Sequence, residues 1–124
     1  MKKIKLVSLN TNGGVLNFYK VFIRYKKIAQ ELQKESPDLI HFQEVFTYFH
    51  LLIFLFFLNK YRYHAYKYSL LGPRGGLVIF SKYPLSKTKY LKYKRKYIPY
   101  LSRSIVEILT NRGALVTHVL RDIT

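Results

Sequence analysis

Cysteine and tryptophan are absent from this 124-residue chain, methionine occurs once, and six acids stand against 22 lysines and arginines. Without cysteine there is no disulfide, no thiolate metal site and no cysteine nucleophile, and thiol usage says little about compartment. Long hydrophobic runs are missing too. The longest, Leu51 to Leu58, has eight residues, whereas a bilayer-spanning helix needs roughly 20. The opening, Met1-Lys-Lys-Ile-Lys-Leu-Val-Ser-Leu-Asn10, is basic and then apolar, but Lys5 and Asn10 interrupt it, so it makes a poor secretory segment. A soluble, cytoplasmic chain without a transmembrane segment is expected.

What is present is apolar and basic. Hydrophobic residues make up 49% of the chain and aromatic residues 17%, far too much for a disordered segment. The length allows one domain at most. The net charge is +16, and it is uneven: from Val45 to Val106 there are 12 Lys and Arg and no acid. A field of that sign attracts nucleic acid, phospholipid head groups or phosphorylated substrates without sequence preference. A generally basic composition, or a missing acidic remainder, accounts for the same numbers.

Periodicity divides the chain. Ile4 to Leu9 reads as a strand closed by the turn-forming Asn10-Thr-Asn-Gly-Gly14. Phe18, Val21, Phe22, Tyr25, Ile28, Ala29 and Leu32 fall at helical spacing, and Pro37 should stop that helix near Lys34 or Glu35. Asp38 to Glu44 suits a buried strand. Strand, helix and strand in about 40 residues form a βαβ unit, whose strands are parallel and whose crossover is right-handed.

Phe46 to Leu58 reads as a second helix, apolar nearly all round. Tyr61 to Tyr68 and Leu77 to Ser81 read as a hairpin around the turn Leu71-Gly-Pro-Arg-Gly-Gly76, which makes the sheet mixed. Lys82 to Lys96 reads as an exposed strand or loop, and Ser102 to Leu109 as a short strand or helix. Gly113 to Leu120 reads as a strand. Nothing behind it supplies a partner strand, so an interrupted domain is expected.

In a parallel βαβ unit the carboxyl ends of both strands share one edge, where open α/β sheets bind ligands. Asn10 ends the first strand and Glu44 the second. A carboxylate there suits a hard divalent cation such as Mg²⁺, and the Asn10 amide can hold a phosphate oxygen or orient a neighbouring carboxylate. The plainer alternative is a strand terminator beside an exposed loop acid.

Three strings carry a resemblance: Lys5-Leu-Val-Ser-Leu-Asn10, Pro37-Asp-Leu-Ile-His-Phe-Gln-Glu44 and Arg74-Gly-Gly-Leu-Val-Ile-Phe-Ser-Lys-Tyr-Pro-Leu85. In that order they resemble the opening motifs of the endonuclease/exonuclease/phosphatase superfamily. Asn111-Arg-Gly-Ala-Leu-Val-Thr-His118 is similar to a later strand, most like the sphingomyelinase-type bacterial members. The resemblance runs from end to end of residues 1–124 but covers only the first half of a family domain. It implies a DNase I-like α/β (α+β) sandwich with a mixed sheet, incomplete as the first half of four layers. It also implies hydrolysis of phosphoester bonds, in nucleic acid or a phospholipid head group, with Mg²⁺ or Mn²⁺. By motif Glu44 matches the metal-binding glutamate and Asn10 the active-site asparagine, with Asn12 a second candidate for phosphate. The family's Thr-His-Leu, Asp-x-Asn and Ser-Asp-His elements are missing from these residues. Thr117-His118-Val119 lies one strand too early to be the first of them.

The reading is therefore a fragment of a metal-dependent phosphodiesterase, inactive alone. The alternative is a basic, non-enzymatic module that binds nucleic acid or anionic membrane through residues 60–103. His41 reads as a packed strand residue and His118 as a structural one, and His50 and His64 have no metal partner at suitable spacing. Lys87 to Tyr97, rich in Tyr and Lys, reads as a solvated edge or lid, with base stacking as its alternative. Leu51 to Leu58 reads as a core helix rather than a membrane dip.

Overall fold

The computed structural model describes residues 3–13, 17–92 and 113–120. The chain opens with strand β1 (Leu6–Asn10), helix α1 (Phe18–Glu35) and strand β2 (Leu39–Gln43), and β1 pairs parallel with β2. This is the expected βαβ unit. Asn17 caps α1 by accepting from the Lys20 amide. The helix stops where Ser36 turns left-handed at φ 46° and Pro37 follows, which places the end at Glu35 as the sequence implies.

Helix α2 (Tyr48–Phe57) comes next, capped by Thr47, whose hydroxyl accepts from the His50 amide. Strands β3 (Tyr63–Ala65) and β4 (Val78–Ser81) then pair antiparallel, and β4 also pairs antiparallel with β2. The sheet order is β1-β2-β4-β3, mixed as expected. The tyrosine-rich strand is shorter than its composition suggests. After Ala65 the chain leaves the ladder to reach α2, where the Tyr48 hydroxyl donates to the Ser69 carbonyl at 2.6 Å and the Tyr48 amide donates to Leu71.

Residues Val21, Tyr25, Ala29 and Leu32 of α1 and Leu51, Ile53 and Phe54 of α2 pack on one face of the sheet, over Ile40, Phe42, Val78 and Phe80. Phe54 stacks on both Tyr25 (4.5 Å) and Phe42 (4.1 Å), so aromatic contacts join the helices to the central strand. Tyr61 closes the far end by donating to the Pro37 carbonyl at 2.7 Å. Burial, with the Asp38 charge adding to it, pushes the Tyr61 phenol up to about 12.

On the opposite face lies a second layer. Strands β5 (Lys89–Lys92) and β6 (Gly113–Val116) form an antiparallel pair, and Leu85, Leu115 and Val119 cover Leu39, Ala65 and Ile79. Part of Lys82 to Lys96 is thus a strand; its residues 93–96, and the Ser102 to Leu109 segment, lie outside the described residues. His118 stands just past β6, where its carbonyl accepts from the Ser86 amide and its own amide donates to the Ser86 hydroxyl. That is the structural role expected of it. Leu52 and Phe56 of the apolar helix are well exposed rather than core. Among the described residues no helix is long and apolar enough to cross a membrane.

Candidate active site

Parallel pairing sets Asn10 opposite Gln43, so Asn10 and Glu44 leave the sheet at the same carboxyl edge, one register position apart. The two loops that follow are tied to each other. The Thr11 amide and hydroxyl both donate to the Gln43 carbonyl at 2.9 Å. Glu44 then takes a left-handed conformation at φ 64°, which breaks the strand alternation, and the Val45 amide donates to Gly76 at 2.9 Å. A non-glycine residue at positive φ is uncommon and marks a locally over-determined backbone. Here Gly76 packs against it: a Cβ on Gly76 would lie only 3.0 Å from the Glu44 Cα, closer than ordinary contact.

The Asn10 loop has a matching geometry. The Asn10 Oδ1 accepts from the Asn12 amide at 2.8 Å, and Asn12 itself is left-handed at φ 52°. This turn suits asparagine. It engages the carbonyl oxygen of the Asn10 amide, so the NH₂ group is the remaining donor of that side chain. Asn12 is exposed in the same loop. All three residues expected from the sequence therefore lie in the loops that leave the sheet at its carboxyl edge.

The brace behind them was not visible in the sequence. Arg24 of α1 donates to the carbonyls of Thr11 (2.9 Å) and Asn12 (2.8 Å) and lies over the Tyr25 ring at 5.5 Å. Tyr25, fully buried, donates to the Thr11 hydroxyl at 2.7 Å. Burial pushes the Tyr25 phenol up; the Thr11 bond and the Arg24 charge oppose this, and the Glu44 carboxylate adds to it. Helical spacing marks Tyr25 as core and Arg24 as surface. Only contacts between residues 12 to 14 positions apart show that the pair holds the loop.

A polar strip continues from Asn10 across the same sheet face, where the Gln43 Nε2 donates to the Ser8 hydroxyl at 3.0 Å. His41 is half-buried beside it, and loss of water holds its imidazole below the usual range. His41 and Gln43, with Ile79 and Leu115, border a cavity of about 100 Å³ under β6. His41 is thus packed, as expected. His50 is buried between the helices, 5.4 Å from the Tyr25 ring, and neither ring nitrogen has a hydrogen-bond partner among the described residues.

As a cation site the edge offers one hard oxygen ligand, the Glu44 carboxylate, because the Asn10 amide oxygen already accepts from the Asn12 amide. Among the described residues no three His, Cys, Asp or Glu converge. That donor set fits Mg²⁺ or Mn²⁺, which keep several waters and take one or two carboxylates beside substrate oxygens. It does not fit a softer metal.

Comparison with known proteins gives the family and the fold. The model of the Endonuclease/Exonuclease/phosphatase family matches residues 7–119. The fold is similar to that of SmcL, with a TM-score of 0.71 and 18% identity over 96% of this chain and 44% of that one. It is likewise similar to beta toxin from Staphylococcus aureus, with a TM-score of 0.73 and 21% identity over 97% of this chain and 46% of that one. The chain therefore spans less than half the length of either. No curated protein matches the sequence. With its motifs in order, its mixed DNase I-like sheet and that match, the chain belongs to the endonuclease/exonuclease/phosphatase family.

Proposed function

We propose that residues 1–124 carry the cation-holding part of a phosphoester hydrolase site, with Glu44 as metal ligand and Asn10 as phosphate ligand. The observation that supports this most is the joining of the Asn10 and Glu44 loops at one sheet edge, through the Thr11 bonds to Gln43. Mg²⁺ or Mn²⁺ bound there supplies Lewis-acid polarisation of a phosphoryl oxygen. The chain's own residues do the positioning. Asn10 presents its NH₂ group to a phosphoryl oxygen because its Oδ1 is engaged by Asn12. Asn12, at the tip of the same turn, offers a second amide to the phosphate. Arg24 and Tyr25 hold the turn from behind, so the donors need little reorganisation as charge develops.

Hydrolysis also requires a base to activate water and an acid for the leaving group. None of the described residues at this edge is an imidazole or a second carboxylate. The chain by itself is therefore expected to bind divalent cation weakly and to turn over no phosphodiester. The test is Mn²⁺ binding by electron paramagnetic resonance, alongside release of nitrophenol from bis(nitrophenyl) phosphate. Glu44→Gln should abolish Mn²⁺ binding, while Asn10→Ala should leave most of it. Unchanged binding in Glu44→Gln overturns the assignment, and so does ready turnover by the unmodified chain. Joined to the carboxyl-terminal half of a family member, the chain should gain Mg²⁺-dependent activity.

A second reading, as a basic binding module, is supported by the acid-free stretch from Val45 to Val106. It needs no cation and survives loss of Glu44.

A further inference from the structure

The outer surface of the two helices is apolar where a solvated helix layer is ordinarily polar. On α2, Phe49, Leu52 and Phe56 share one exposed face at spacings of three and four, opposite the buried Leu51, Phe54 and Leu58. On α1, Phe18, Tyr19 and Phe22 are exposed as well. Phe56 and Tyr19 each keep 74% of their surface in water. Two edge-to-face contacts join rings of the two helices into one patch: Phe18 with Phe49 at 5.2 Å, and Phe22 with Phe57 at 5.9 Å. A contiguous apolar patch of this kind marks an interaction surface rather than scattered exposure.

Charge selects the partner. The first ten residues of α1 carry Lys20, Arg24, Lys26 and Lys27 with no acid, which first appears at Glu31, and α2 carries no charge at all. Lys26 places its ammonium 5.8 Å from the Phe57 ring, at the edge of the patch. Phe and Leu on one face with Lys flanking them is the pattern of a surface that lies in the head-group region of an anionic bilayer. Nucleic acid would need cations interspersed among the stacking rings, whereas α2, which carries Leu52 and Phe56, has no Lys or Arg of its own.

Position links the patch to the site. Both helices begin directly after the loops that carry Asn10 and Glu44, so the Phe18–Phe49 pair stands at the end of the patch nearest the candidate site. We infer that the exposed α1–α2 face, through Leu52, Phe56 and the Phe18–Phe49 pair, docks on anionic phospholipid membrane. If the site acts as argued under Proposed function, the docked chain meets phosphodiesters of lipid head groups; the docking itself does not depend on that reading.

The test is co-sedimentation of the full chain with phosphatidylcholine vesicles, plain or containing one third phosphatidylglycerol. Wild type should bind the anionic vesicles, and the double variant Leu52→Ser, Phe56→Ser should bind at least about tenfold more weakly, since two large apolar side chains no longer insert. The natural chain has no tryptophan, so Phe56→Trp supplies a single indole reporter whose emission should shift to the blue on anionic vesicles. Glu44→Gln should bind vesicles as wild type does, which separates this proposal from the assignment of the site. The proposal is overturned if the double variant, shown folded by circular dichroism, binds as well as wild type, or if the emission of the Phe56→Trp variant does not move. It is equally overturned if the two serine substitutions weaken binding to duplex DNA as much as to vesicles, or if they convert a dimer of the chain to monomer.

Discussion

At Gly13 the two site loops meet with no room for a side chain. A Cβ there would collide with the Glu44 carbonyl oxygen and lie 2.9 Å from the Tyr25 hydroxyl. The first is backbone and cannot swing aside. Gly13→Ala should therefore destabilise the fold by about 2 kcal/mol, as overpacked interiors do, seen as a lower midpoint in urea denaturation. It should also displace Glu44 and weaken Mn²⁺ binding. His50 is the second residue whose surroundings matter. Burial, and then the Arg24 charge, hold its imidazole below the ordinary 6.5; His41 shifts the same way through burial alone. Above that value both histidines are neutral in folded and unfolded chains. As pH falls through it, the unfolded chain takes up protons first, so stability is present above about pH 6.5 and is lost below it. Thermal melts should show a falling midpoint on acidification, and His50→Leu should flatten the slope. A slope that His50→Leu leaves unchanged would assign it elsewhere.

At the scale of elements, the short helix depends on its start. α2 has ten residues, too few to persist without packing, and its first turn is satisfied by the Thr47 hydroxyl on the His50 amide. Asn17 does the same for α1. Thr47→Ala and Asn17→Ala should each cost about 1 kcal/mol in chemical denaturation, with Thr47→Ser close to wild type. A loss below a few tenths in both would mean that tertiary packing alone sets the helix ends. The helices are also fixed to each other by Gln33, whose side-chain amide donates to the Phe57 carbonyl, so loosening one cap should be felt in both. At the start of β2 the chain is held to β1 by Lys5, whose amide donates to Asp38 and whose ammonium pairs with Glu35 at 2.6 Å. The hydrogen bond and charge from Lys5 hold the Glu35 carboxyl below its usual range.

For the whole molecule, charge dominates. With +16 on 124 residues, the chain should bind any polyanion at low ionic strength and release it steeply as salt rises, because counterions are displaced on binding. Heparin affinity measured over a salt series tests this. Retained, sequence-selective DNA binding at physiological salt would favour the binding-module reading. Vesicle binding should differ from heparin binding in keeping a salt-resistant part, supplied by the apolar α1–α2 face.

The sequence by itself determined the βαβ unit, the second helix and the mixed sheet. Each rests on short-range physics: helical spacing from Phe18 to Leu32, the stop at Pro37, and the dense apolar string before Glu44. It also marked Asn10 and Glu44, since strand ends in a parallel unit must share an edge, and the family resemblance added Asn12. What it left open depends on contacts between distant residues. Arg24 is spaced like a surface cation, yet it holds the Thr11 and Asn12 carbonyls. Nothing near Gly13 in the chain announces the Glu44 backbone against it. The tyrosine-rich segment has strand composition, but Tyr48 on α2 draws its second half away from the ladder. The uniformly apolar second helix likewise concealed which side it buries; only packing against Tyr25, Phe42 and Phe80 decided that Phe54 goes inside and Phe56 out. Local pattern carries propensity, whereas face, brace and register follow from which distant surfaces the folded chain brings into contact.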